Sequence, residues 1–190
     1  MDAREYLEIM HLLEKLKDTT RHCYTTKGRH ESVAEHTYRC ALMAYFLKDE
    51  FADADTDKII KMCLIHDLGE IFTGDIPTFN KTASDEIKED NLLGEWVDSL
   101  PSPFDAELRE LYVEMSEQVS IESKIYKAID KLEAVIQHNE SPIDTWEPLE
   151  YELNVNYGFD KVEFSDWLKN LREEIRKDTL EKIEKEGKNI

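Results

Sequence analysis

Glycine and proline are scarce in this sequence, with 6 and 5 copies among 190 residues. Turns draw heavily on both, so their shortage, set beside long amphipathic stretches, points to an all-α fold. Cysteine is scarcer still. Cys23, Cys40 and Cys63 are odd in number and never in CxxC spacing, which argues against a disulfide framework and implies reduced thiols in the cytoplasm. No apolar run approaches the roughly 20 residues of a membrane-spanning helix. Met1-Asp2-Ala3-Arg4-Glu5 also lacks the charged-then-apolar opening of a signal peptide. Positive charge is in short supply too: 24 Lys and Arg face 43 Asp and Glu, a formal charge of −19. Such a surface repels nucleic acid, whose affinity comes mainly from phosphate neutralisation. An anionic substrate would need a local attraction, from a cation or a single arginine.

What is present is a globular mixture, 41% apolar and 35% charged, in a length that suits one domain over residues 1–190. Apolar periodicity predicts a first helix over Arg4–Lys17, with Tyr6, Leu7, Met10, Leu13 and Leu16 or Lys17 at helical spacing. A polar loop through Arg21, His22 and His30 follows. Ser32 and Glu35 form a capping box that opens a helix to about Lys48, with Val33, His36, Cys40, Met43, Ala44 and Leu47 facing inward. Thr56 or Asp57 caps the helix that ends at His66-Asp67. Helices over Ala83–Ser99, Phe104–Glu117 (Pro103 in its first turn) and Ile121–His138 (capped by Ser120) come next. The stretch Ser141–Gly158 reads as irregular, anchored by Trp146, Tyr151 and Tyr157. A long acidic helix over Val162–Glu186 follows, with Phe164, Trp167 or Leu168, Leu171, Ile175 and Leu180 on its apolar side and Gly187 at its end.

The chemistry concentrates in Cys63-Leu64-Ile65-His66-Asp67-Leu68-Gly69-Glu70. Ile59, Met62 and Cys63 precede His66 at helical spacing, so its imidazole is predicted to point inward. Asp67 lies about 100° further round, and both side chains can reach one point. A buried histidine beside a buried carboxylate is costly unless paired, protonated or bound to a metal; read alone, the pair is a helix end with a hydrogen-bonded histidine. His36 is a second inward histidine. Asp130 flanks the core stripe Ile125, Ile129, Leu132 and Ile136, where Lys127 and Lys131 could make it a surface ion pair instead. Together His36, His66, Asp67 and Asp130 are a nitrogen/oxygen set without thiolate. It suits Mn, Co, Fe(II), Zn or Ni at an octahedral site with open positions, and does not suit a closed structural zinc site. His11, His22, His30 and His138 lack such placement, and surface or loop roles are their default.

His36, the adjacent His66-Asp67 and the distant Asp130 resemble the H…HD…D signature of the HD-domain metal-dependent phosphohydrolases. Two stretches resemble that superfamily's bacterial 5′-deoxynucleotidase group: Glu31-Ser32-Val33-Ala34-Glu35-His36, and His66-Asp67-Leu68-Gly69-Glu70 running into Thr73-Gly74-Asp75-Ile76-Pro77-Thr78. The likeness covers roughly Leu13 to Gln137. It implies an all-α helical bundle with a metal-centred cleft, a homodimer, and hydrolysis of a nucleoside 5′-monophosphate, deoxy forms preferred. By the same resemblance, the four ligands would hold one divalent ion, Glu70 would orient a water or take its proton, and Asp75 would pass a proton to the leaving 5′-oxygen. Arg21, fifteen residues before His36, would grip the phosphate, and Thr78 would touch substrate. Each has a plainer reading: Arg21 as a solvated loop charge, Glu70 as a helix-end carboxylate, Asp75 as a turn former.

This chain also departs from the group. His22 stands where well-known bacterial members carry tryptophan, which bears on base or sugar packing. Ile71 follows Glu70, where guanosine-tetraphosphate hydrolases carry Glu-Asp, and no GYP follows the ligands as in cyclic-dinucleotide phosphodiesterases. Two rivals are a non-catalytic metal or nucleotide sensor, disfavoured by Glu70 and Asp75, and a structural protein that binds partners through its acidic C-terminal helices. Another small phosphorylated metabolite is the alternative substrate.

Overall fold

Most of the long helices begin where the chain supplies its own cap. In the computed structural model, which describes residues 1–186, the Asp2 carboxylate accepts from the amides of Arg4 and Glu5 to start α1 (Ala3–Leu13). The expected capping box opens α2 (Val33–Phe46): Glu35 N donates to Ser32 Oγ at 3.3 Å and Ser32 N to Glu35 Oε2 at 2.9 Å. Asp55, not Thr56 or Asp57, caps α3 (Thr56–Ile65), because its carboxylate reaches the Lys58 amide at 3.0 Å. A short α4 (Glu70–Thr73) follows. Thr82 caps α5 (Ala83–Asp98), Pro103 precedes α6 (Phe104–Glu117) and Ser120 caps α7 (Ile121–Glu140). The last helices are α8 (Glu150–Asn156) and α9 (Asp166–Glu186).

Several stretches depart from the periodicity. The polar loop is an antiparallel hairpin, β1 (Thr20–Tyr24) with β2 (His30–Ser32). Its strands lack an apolar alternation, and Gln137 of α7 fastens them by donating to Tyr24 O at 2.7 Å. Within the stretch expected to be irregular, Trp146 is buried as foreseen, but a 3-10 turn at Ile143–Thr145 leads into α8. The end of α8 is tied from outside. Arg172 of α9, fully buried, donates to Asn154 O and Tyr157 O at 2.8 Å each. Helix α9 starts at Asp166 rather than Val162 and turns Leu168, Arg172, Ile175 and Thr179 inward, leaving Trp167 and Leu180 exposed. On α1, Tyr6, Leu7 and Met10 are exposed; of the expected stripe, Leu16 is buried, in a 3-10 turn over Glu14–Lys17. Gly187 lies outside the described residues.

Helix α7 runs through the centre. Its Ile125, Ile129 and Leu132 pack with Cys40 and Ala44 of α2, Met62 and Cys63 of α3, and Leu168 and Ile175 of α9. A smaller cluster of Leu16, Val33, Leu68 and Ile71 seats the α3–α4 turn against the start of α2. The fold is therefore all-α apart from the hairpin, and one core fixes the three helices expected to carry the site. Among the described residues no helix is long and apolar enough to cross a membrane.

Candidate metal centre

Helix α3 stops at Ile65, and His66 follows as its C-cap, with its amide bonded to Met62 O at 3.1 Å. The chain then passes Gly69, where a Cβ would come within 2.6 Å of Glu89 Cγ, and leaves α4 through Gly74 at φ +77°, a backbone region that favours glycine. This path delivers His66 and Asp67 to the point that His36 reaches from α2 and Asp130 from α7. His36 Nε2 and His66 Nε2 lie 3.2 Å apart. Asp67 Oδ2 is 3.7 Å from His36 Nε2 and 3.2 Å from His66 Nε2, and Asp130 Oδ1 is 3.5 and 3.7 Å from the same two atoms. Donors on one ion at ~2.1 Å stand roughly 3.0–3.4 Å apart for right-angle to tetrahedral geometry; the ligand atoms of His36, His66 and Asp67 lie within 4.8 Å of one another, and Asp130 Oδ1 comes within 3.7 Å of both histidines.

Outer contacts aim the donors. His66 Nδ1 bonds to Cys63 O at 2.8 Å, and His36 Nδ1 bonds to the fully buried Glu133. Each imidazole donating through Nδ1 presents its Nε2 lone pair to the centre, the arrangement common around metal-bound histidines. Burial works against charge on His66, yet Asp67 and Asp130 outweigh it and push its pKa up to about 10. Asp67 is held well below the carboxylate range by His66, against the cost of burial. The two carboxylates thus demand positive charge, which a proton or a metal ion can supply. Asp130 satisfies both of its sequence readings: Oδ1 faces the histidines while Oδ2 pairs with Lys127 at 2.9 Å and Lys131 at 3.5 Å. Cys40 Sγ lies 3.8 Å from both His36 nitrogens, but burial pushes its pKa far up, so no thiolate competes.

Beside the four donors opens a cavity of about 240 Å³. Arg21, Lys81, Lys127 and Lys131 line it together with the carboxylates of Asp67, Glu70, Asp75, Glu86, Asp130 and Glu150. The Arg21 side chain is nearly buried, 3.7 Å from Glu31 and 3.5 Å from Glu133, and its Nη1 has no hydrogen-bond partner. Glu70 is buried and its pKa is pushed up to about 10 by burial and by the charges of Asp67 and Asp75; its Oε2 is unpartnered. Burial also raises Asp75, with Arg21 opposing. Thr78 is exposed at the rim, its hydroxyl 3.4 Å from Tyr157 OH.

Sequence reading passed over Glu133 although it lies three residues after Asp130, on the same side of α7. It also assigned His138 to a surface or loop role; His138 is buried and faces the cavity, together with Glu150 and Asn154 of α8. No local pattern marked those two, because α8 itself was unforeseen.

A model of the HD domain matches residues 13–172. The 5′-deoxynucleotidase HDDC2 of Bos taurus is 32% identical over 142 residues, covering 73% of this chain and 68% of that protein. Its namesake from Danio rerio is 30% identical over 175 residues, covering 88% and 86%. A crystal structure described as a predicted metal-dependent phosphohydrolase from Magnetospirillum magnetotacticum shares the fold with a TM-score of 0.78 at 23% identity, over 94% of this chain and 92% of that one. With the match running from ahead of the hairpin to the buried Arg172 under α8, this chain belongs to the HD-domain family.

Proposed function

We propose that the chain is a metal-dependent phosphomonoesterase hydrolysing (deoxy)nucleoside 5′-monophosphates to nucleoside and phosphate. One observation carries this reading: two histidine nitrogens 3.2 Å apart, each within 3.7 Å of a carboxylate oxygen of Asp67 and of Asp130, border a cavity that Arg21, Lys81, Lys127 and Lys131 also line. The 5′-deoxynucleotidase relatives at 30–32% identity support the substrate class. His36, His66, Asp67 and Asp130 would hold one divalent ion, for which Mn, Co, Fe, Zn and Ni all suit the donor set. When bound, such an ion supplies Lewis-acid polarisation of a phosphoryl oxygen and makes a coordinated water more acidic.

The remaining roles fall to the protein. The Nη1 of Arg21, 3.5 Å from Glu133 but without a hydrogen-bond partner, would donate to a phosphate oxygen in a charge-assisted bond. Glu70 orients the attacking water and takes its proton, which requires that positive charge at the four donors draw it back to the carboxylate form. Asp75, raised by burial, keeps a proton for the leaving 5′-oxygen. Thr78 contacts the substrate from the rim.

The chain is further inferred to be a single HD domain acting in the cytoplasm, without nucleic-acid or membrane partners. Tyr38, Leu42, Tyr45 and Phe46 leave an exposed apolar face on α2, which supports a homodimer. Phosphate release from ribo- and deoxynucleoside monophosphates with added Mn²⁺ or Co²⁺ tests the reading, with a chelator control and Asp67→Ala. Activity on the monophosphates that vanishes in both controls is expected. Activity unchanged in both would refute the metal-hydrolase reading, and bound metal without turnover on any nucleotide would favour a sensor.

A further inference from the structure

We propose that His22, His138 and Glu150 form a second cation site, for a borderline divalent metal such as Zn²⁺, separate from the four-donor centre. Their ligand atoms all lie within 4.8 Å of one another. Glu150 Oε1 is hydrogen-bonded to His22 Nε2 at 2.6 Å and lies 3.3 Å from His138 Nε2; an ion would replace that hydrogen bond and part its two atoms to roughly 3 Å. Two imidazoles and a carboxylate are the three-ligand set of open zinc sites, and imidazole ligands favour Zn, Ni or Cu over Mg or Ca. Each residue comes from a different element: β1, the last turn of α7 and the first turn of α8. His138 is eight residues beyond Asp130, about 12 Å along the helix axis at the usual rise. That is too far for a bridged pair of ions, which sit roughly 3.5–4 Å apart.

Three further features point to a missing positive partner. Glu150 is 1% exposed, and its partners within salt-bridge distance among the described residues are the two histidines, with no lysine or arginine to supply a permanent charge. Its Oε2 is already held by the Glu147 amide at 2.7 Å, which aims Oε1 at the two histidines as an outer-shell contact would. Asn154, one turn further along α8 and 3% exposed, lines the same cavity with a carboxamide nitrogen that has no partner; turned over, its oxygen could complete the donor set. The cavity and the partly exposed His22 provide the way in. An ion here would clamp β1, and with it the neighbouring Arg21, to α7 and α8.

Chelator-stripped full-length protein, dialysed against micromolar Zn²⁺ and analysed for bound metal, separates the two centres. Wild type should bind two ions, His22→Ala and Glu150→Gln one each, Asp67→Ala one, and the Asp67→Ala/His22→Ala pair none. Co²⁺ in the Asp67→Ala background should give a visible absorption band that His22→Ala removes, a readout independent of any turnover. His22 is partly exposed and Gln matches Glu in shape, so both variants are expected to fold. An Asp67→Ala protein that binds no Zn²⁺, or His22→Ala and Glu150→Gln proteins that bind as many ions as wild type, would overturn the second site and leave a purely hydrogen-bonded cluster.

Discussion

Replacing Glu133 should loosen the proposed metal centre without removing one of its proposed ligands. Glu133 is fully buried, bonds to His36 Nδ1, and lies 3.5 Å from Arg21 Nη1 and 3.8 Å from Arg39 Nε. Its carboxylate makes the His36 imidazole a stronger donor and fixes the ring's tilt towards His66 and the two aspartates. Loss of such an outer partner costs about 10–100-fold in metal affinity, or about 1.4–2.7 kcal/mol. Glutamine keeps an oxygen for the Nδ1 hydrogen and loses only the charge, so Glu133→Gln belongs near the tenfold end and Glu133→Ala near the hundredfold end. Stability should fall as well, since Arg21 and Arg39 lose a buried counter-charge. Competition between each stripped protein and a chromophoric chelator for Mn²⁺ or Zn²⁺ measures the affinity, and thermal unfolding with chelator present tracks the stability separately. A folded Glu133→Ala protein with wild-type affinity at the His36–His66–Asp67–Asp130 centre would refute the proposed action through His36.

Two other expectations concern the frame around the site. Arg172→Met removes two charge-assisted bonds to Asn154 O and Tyr157 O, a loss of about 3 kcal/mol that should lower Tm by about 6–12 °C for a chain of this size; a Tm within about 2 °C of wild type would show that α8 does not depend on it. Glu35, half exposed, has its pKa lowered from 4.5 to about 2 by hydrogen bonds from Arg29 and Ser32. A depressed carboxylate stabilises above its unfolded pKa and loses that contribution as pH falls through the folded one. The Tm gap between wild type and Glu35→Gln should therefore be constant above about pH 5 and close between about pH 4.5 and 2. Solvent screening limits it to about 1 kcal/mol or less, and a gap unchanged down to pH 3 would contradict the assignment.

The parts of the molecule legible in the sequence are those whose cause is local. Ser32-x-x-Glu35 marked the start of α2, and the apolar period of three and four residues placed His36 and His66 on inward faces, because cap and stripe are written within one or two turns. The convergence of His36, His66, Asp67 and Asp130 needed a familiar order of motifs, since no periodicity relates residues almost a hundred positions apart. What escaped is stabilised from a distance. The hairpin has no apolar alternation and leans on Gln137, α8 has a terminus tied by Arg172, and the buried Arg172 and Thr179 look like solvent-facing residues in a strongly acidic helix. His138 was passed over for the same reason: its neighbours Glu150 and Trp146 come from beyond the end of α7.

The most direct test of the centre is anomalous diffraction from crystals of the full chain soaked in Mn²⁺. The expected result is a peak about 2.0–2.3 Å from His36 Nε2, His66 Nε2 and a carboxylate oxygen of each of Asp67 and Asp130. Density elsewhere alone, with none between these four side chains, would contradict the metal centre and the phosphatase chemistry built on it.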